Sequence, residues 1–150
     1  MNKPKILINI LPICGKTNRI FIGKRLEDLK LSIVCGKLKY GEEFDEGGMR
    51  LIKEDIGLDI GNSKRLFFLA SYNIIDKDVG LHLVGIMFYV VLTEEEVDKI
   101  FLNKYMFSAY GFVELQDIIK EEYELFVSLS VFIKKYKINT LEDIKSLNPS

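Results

Sequence analysis

Apolar and polar positions alternate along this chain in two rhythms. Residues 5–13 are crowded with Ile and Leu and read as a buried strand. A turn cluster, Gly-Lys-Thr-Asn at 15–18, separates them from a second strand at 19–25, so the two predict a hairpin. A short strand at 31–35 leads to a segment at 44–56 with helical spacing. With Arg50 set to zero and about 100° per residue, Gly48, Met49, Ile52 and Ile56 fall on one side. Glu43, Arg50 and Glu54 fall on the other, Leu51 and Asp55 lie between, and Gly57 closes the helix. Strands at 66–75 and 81–92 flank a turn at 76–78 and predict another hairpin. Thr93 and Glu96 form a capping box for a short helix running to 102, which reads the Glu run there as helix-start chemistry. A strand within 105–113 precedes a long helical stretch over 115–136, whose stripe holds Leu115, Ile118, Ile119, Glu122, Phe126, Leu129 and Ile133. Thr140 caps a last short helix before a frayed end at Pro149 and Ser150.

A length of 150 residues without repeats, low-complexity segments or linkers predicts a single domain. The chain is 48% hydrophobic with 10 Phe and 7 Tyr, enough for a sizeable core. Its 21 basic and 22 acidic residues leave a net charge of −1, which argues against a protein that coats nucleic acid. Cys14 and Cys35 make neither a disulfide framework nor a zinc motif and suit a reducing compartment. The apolar run near the N-terminus is broken by Asn9 and Pro12 and alternates as a strand does, unlike a signal peptide. The longest apolar run, 81–92, contains His82 and falls short of the ~20 residues a bilayer requires. These features predict a cytoplasmic protein with no membrane partner.

The chemistry concentrates at 36–58, GKLKYGEEFDEGGMRLIKEDIGL. An Arg and two carboxylates lie on one helical edge behind a Gly-bounded loop. Such an arrangement suits a hard divalent cation, because Mg²⁺ takes oxygen ligands and is often held by one or two carboxylates plus substrate phosphates. The stretch resembles the signature of the Nudix hydrolases: G, five residues, E, seven residues, then R-E-U-x-E-E-x-G-U, with U bulky and apolar. Gly36, Glu42, Arg50, Ile52, Glu54, Gly57 and Leu58 match it without a gap, and Asp55 replaces the last Glu. Leu51 stands where the pattern has the Glu after Arg, so one carboxylate of the family's acidic cluster is missing.

The resemblance implies an α/β fold, a Nudix-like α/β/α sandwich around a central mixed β-sheet, with the second large helix opposite the box helix. It implies hydrolysis of a nucleoside diphosphate linked to another moiety, with Mg²⁺ or Mn²⁺ as cofactor and a small-molecule nucleotide as substrate. An alternative is a catalytically weak Nudix-fold domain that binds a nucleotide or a protein partner. Many members are homodimers, and the oligomeric state here stays open. Glu54 and Asp55 carry over as metal ligands, with Glu54 the essential residue, and the carbonyl at Cys35 corresponds to a frequent further ligand. Arg50 and Glu42 carry over as residues that fix the loop and the acidic side chains. Arg25, at a strand end rich in cations, is a phosphate contact or a solvated strand end. The resemblance places Lys37 where it would face the phosphates. His82, on a strand that often carries a His in the family, is a base, a substrate contact or a structural hydrogen-bonding group. Cys35 as a nucleophile has no evident base in the sequence, and an inert buried thiol is the competing reading. The segment 104–111, KYMFSAYG, lacks the acid that many active members place there, and Tyr110 is either a stacking or a packing residue. The Arg50-Leu51 pair and the His82 strand are similar to the GDP-mannose mannosyl hydrolases, a subgroup that cleaves at sugar carbon.

Overall fold

A computed structural model of the chain describes residues 4–121 and 123–148. Strand β1 (Lys5–Cys14) is its axis. One edge of β1 runs parallel to β6 (Leu81–Leu92), and β6 pairs antiparallel with β5 (Phe67–Asp76). The other edge is shared. Ile13 pairs with Ile20 of β2 (Ile20–Arg25), whereas Leu7 to Ile10 pair with β4 (Val34–Lys37). Strand β2 thus peels away from β1 and pairs with β3 (Leu31–Ser32) and β7 (Phe107–Val113), and β4 takes the vacated edge. The result is a mixed seven-stranded sheet.

Alternation along β1 sends Ile8 and Ile10 to one face and Leu7, Leu11 and Ile13 to the other. Helix α1 (Phe44–Ile56) covers the first face through Leu51, Ile52 and Ile56. Helices α3 (Leu115–Lys120), α4 (Val127–Lys135) and α5 (Leu141–Lys145) cover the second. Helix α2 (Glu94–Asp98) follows β6 and is shorter than its pattern suggests. Asn9 is the polar exception on β1, buried yet satisfied: Ser128 Oγ donates to its Oδ1 at 2.7 Å, and its Nδ2 donates to Leu7 O at 3.2 Å.

The expected helix over 115–136 is two helices. Between them the chain extends, so that Leu31 N donates to Glu124 O at 3.0 Å and Phe126 N donates to Leu31 O at 2.8 Å. Leu125 forms a parallel bridge with Leu31. A backbone pairing with β3 outcompetes the helical ladder there. Glu122, Pro149 and Ser150, named in the sequence reading, lie outside the described residues. The strand expected at 31–35 is likewise split at Ile33 into β3 and β4.

Candidate active site

Helix α1 starts where Glu46 Oε1 accepts a hydrogen bond from Glu43 N at 3.0 Å, and it ends at Gly57. Gly57 adopts φ 71°, and a Cβ there would lie 2.9 Å from Phe101 Cβ. Glycine is needed on both counts, and it lets the loop after α2 close onto the helix end. Gly47 and Gly48 sit against β1: added Cβ atoms would meet Leu38 Cδ1 at 3.1 Å and Leu66 Cδ1 at 3.0 Å. Their small size serves close packing of the helix on the sheet.

Arg50 organises the loop before the helix. Its Nε donates to Glu42 Oε2 at 2.6 Å and its Nη2 to Glu42 Oε1 at 2.9 Å, a bidentate pair. Nη2 also donates to Lys37 O at 2.9 Å, and Nη1 donates to Glu54 Oε2 at 3.1 Å. Lys39 N donates to Glu42 Oε1 at 2.8 Å. One guanidinium therefore ties β4, the loop and the helix face together, and it holds the Glu42 carboxyl below its usual range. Glu54 is half-exposed at the end of this network, with Lys39 Nζ 3.9 Å away.

Asp55 is in a different situation. It is 3% exposed, and its Oδ2 has no hydrogen-bond partner. Burial pushes its pKa up to about 6, with the Cys35 N–H and Arg50 opposing and Glu54 adding to the rise. Leu51 is buried and packed so closely on Gly36 that a Cβ on Gly36 would overlap Leu51 Cδ2. The missing carboxylate is thus replaced by an apolar plug.

Arg25, His82 and Tyr110 lie apart from this network, and neither Cys35 nor Lys37 contributes its side chain to it. Arg25 Nε donates to Asp28 Oδ1 at 3.0 Å, Nη2 donates to Glu27 Oε2 at 3.3 Å, and its guanidinium lies 3.9 Å from the centre of the Phe126 ring. It is held by the chain rather than presented to solvent. His82 Nε2 is 3.0 Å from Asn73 Oδ1 on β5, and no hydrogen bond or ion pair joins it to Arg50, Glu54 or Asp55 among the described residues. The Cys35 thiol packs against the apolar layer under α4, and burial pushes it up to about 12, which fits the inert-thiol reading. Tyr110 stacks on Phe21 with ring centres 5.5 Å apart, a packing role. Lys37 keeps its ammonium free of ion pairs among the described residues.

A divalent cation would find oxygen donors at Glu54 and Asp55 and at the carbonyl of Cys35, whose N–H bonds the Asp55 carboxylate. The unpartnered Oδ2 is the observation that fits such an ion, because a buried carboxylate oxygen without a donor is stabilised by a cation or a proton. No group of three or more His, Cys, Asp and Glu side chains converges among the described residues, so the side-chain donors here are Glu54 and Asp55 alone. One cavity borders this region, and another contains no residue of α1 or β4. Glu54, Lys53, Phe101, Asn103, Lys104 and Tyr105 line one of about 340 Å³. A larger one of about 650 Å³ lies between the β2–β7 sheet and α3, lined by Lys24, Leu31, Tyr110, Asp117 and Tyr123, and of the candidate residues singled out in the sequence it contains Tyr110 alone. Sequence reasoning missed the burial of Asp55, which the helical wheel leaves at the boundary. It also missed the aromatic rim at 101–105, whose signal was two rings interleaved with Lys104.

No protein-family model and no curated protein sequence matches the chain. Solved structures do. The MutT protein of Methanosarcina mazei Go1 is 21% identical with a TM-score of 0.69, over 91% of this chain and 96% of that one. A NUDIX hydrolase from Nitrosomonas europaea is 14% identical with a TM-score of 0.70, over 97% and 91%. A MutT/nudix family protein from Enterococcus faecalis is 16% identical with a TM-score of 0.63 over 75% of this chain, which spans 44% of that protein's length. The backbone superposes on these neighbours at an identity too low to carry activity with it, and the chain accordingly has the α/β fold of the MutT/Nudix hydrolases, built on a central mixed sheet.

Proposed function

We propose that this chain hydrolyses a nucleoside diphosphate linked to another moiety, with one divalent cation, Mg²⁺ or Mn²⁺, held by Glu54, Asp55 and the Cys35 carbonyl. The single observation that carries the reading is the buried Asp55 oxygen without a partner at the end of the box helix. When bound, the ion would neutralise phosphate charge and lower the pKa of a water. The chain's own residues do the rest. Arg50 holds Glu54 in place from one side while fixing the loop through Glu42 and the Lys37 carbonyl. Lys39 brings positive charge to within 3.9 Å of Glu54, on the loop side where a diphosphate would lie. Structural neighbours support the substrate class. One is a NUDIX domain of Shewanella oneidensis NrtR complexed with ADP ribose, and another is a Francisella tularensis NMN adenylyltransferase/ADP ribose pyrophosphatase complexed with AMP and a Mn ion.

A second reading is favoured by Leu51: a domain that binds nucleotide with little turnover. An apolar side chain at the acidic position after Arg50 removes one charge from the ion's surroundings and seals Gly36. Product release from nucleoside triphosphates, dinucleoside polyphosphates, ADP-ribose and nucleotide sugars, with Mg²⁺ or Mn²⁺, separates the two. Hydrolysis requires turnover of at least one compound that falls a hundredfold or more in Glu54→Gln. Binding without turnover by a folded sample gives the second reading.

A further inference from the structure

The loop between α2 and β7 carries a feature that the diphosphate chemistry leaves unused. Its backbone is pinned at several points. Phe101 N donates to Ile56 O at 2.9 Å and Asn103 N to Asp55 O at 2.8 Å, so the loop is tied to the last turn of α1. Tyr105 N donates to Asn103 Oδ1 at 3.0 Å, and Leu26 N donates to Met106 O at 2.9 Å. Ile100, Leu102 and Met106 turn inward against the apolar layer under α1. Phe101 and Tyr105 turn outward and are 76% and 94% exposed. The loop has inward positions for its apolar residues, yet it holds two rings in solvent on a fixed backbone. These rings line the same cavity as Glu54, about 340 Å³ in volume, with Lys53 and Lys104 beside them. Neither lysine has an ion-pair partner among the described residues.

Rings with open faces, free ammonium groups and a carboxylate at one end match the chemistry of a nucleotide lying base-outward. Every nucleobase has a π-face, and stacking on aromatic side chains is indifferent to base identity. A cavity of this size is near the lower end for small-molecule sites and holds a base-sized group rather than a whole nucleotide. We propose that Phe101 and Tyr105 form a stacking subsite for a planar nucleobase, with Lys53 and Lys104 contacting the adjoining phosphates. The subsite rests on the reading of Glu54 as part of the nucleotide site, and it predicts broad acceptance of purine and pyrimidine bases.

The test is calorimetric titration of the full chain with ATP and, separately, with inorganic tripolyphosphate, in EDTA so that no metal-dependent turnover intervenes. In wild type, ATP binds more tightly than tripolyphosphate, and GTP and UTP bind within a few-fold of ATP. The Phe101→Ala/Tyr105→Ala double variant weakens ATP by about ten- to a hundredfold and leaves tripolyphosphate unchanged. Tyr105→Phe, which keeps the ring, binds ATP as wild type does. Both positions are exposed, and a urea midpoint within error of wild type verifies the fold of each variant. Equal ATP affinity in wild type and the double variant overturns the subsite, as does an ATP affinity no better than that of tripolyphosphate. A failure of the hydrolase reading gives a different result: no turnover in Mg²⁺, with ring-dependent ATP binding retained.

Discussion

Two adjacent acidic residues on one helix have opposite surroundings. Glu54 is half-exposed and bonded to Arg50, whereas Asp55 is buried with one oxygen unmatched. The residue that a canvass of box positions marks as deviant, Leu51, does structural work instead: it packs on Gly36. Leu51→Ala is expected to cost about 2–4 kcal/mol through the cavity it leaves. Gly36→Ala is expected to cost about 1–3 kcal/mol by overpacking in wild type, and much less in the Leu51→Ala background, where the added methyl has room. A double-mutant cycle by urea denaturation measures this coupling, and simple additivity of the two costs would contradict the contact. Much at this scale was not legible in the sequence. The wheel places Asp55 at a boundary, and packing around the helix end, which brings the Cys35 N–H to its carboxylate, buries it. Arg25 reads as a free cation, but its partner ring, Phe126, lies far along the chain beyond the break between α3 and α4.

Among the elements, those set by local pattern match the sequence reading closely. Helix α1 spans Phe44–Ile56 and β6 spans Leu81–Leu92, as periodicity and the flanking turns predict. The long helix fails because a strand-like bridge to Leu31 is a non-local pairing that no window of sequence reports. The capping box of α2 is present: Thr93 Oγ1 accepts from Glu96 N at 3.1 Å, and Glu96 Oε1 accepts from Thr93 N at 3.0 Å. Glu96 also receives Arg65 at 2.6 and 2.8 Å, which with the Thr93 bonds pushes its carboxyl down to about 2. A carboxyl held low in the folded state adds stability above its unfolded value of 4.5 and loses it as pH falls toward about 2. Glu96→Gln is therefore expected to be less stable than wild type at pH 7, by on the order of 2 kcal/mol after allowance for solvent screening, and equal to it near pH 2. Urea midpoints across pH 2–7 check the convergence. At the other helix junction, Gly57→Ala is expected to cost about 2–3 kcal/mol, since it combines a positive φ with a clash against Phe101. Hydrogen exchange at the Phe101 and Asn103 amides should accelerate in that variant while amides in β1 keep their protection.

For the molecule as a whole, the sheet brings the box loop, the helix end and the 101–105 loop to one place because β4 replaces β2 alongside β1. The box helix and the expected opposite helix layer were readable from 36–58 and from the apolar stripes. The cavities and the aromatic rim were not, because they form between elements distant in sequence. No helix among the described residues is long and apolar enough to cross a membrane. The central claim is that the end of α1 is a cation site, and electron paramagnetic resonance of Mn²⁺ titrated into the folded chain tests it most directly. One ion bound per chain in wild type, lost in Asp55→Asn and weakened tenfold or more in Glu54→Gln, is the predicted result. Unchanged Mn²⁺ binding in Asp55→Asn, or no binding by the wild-type chain, would contradict it.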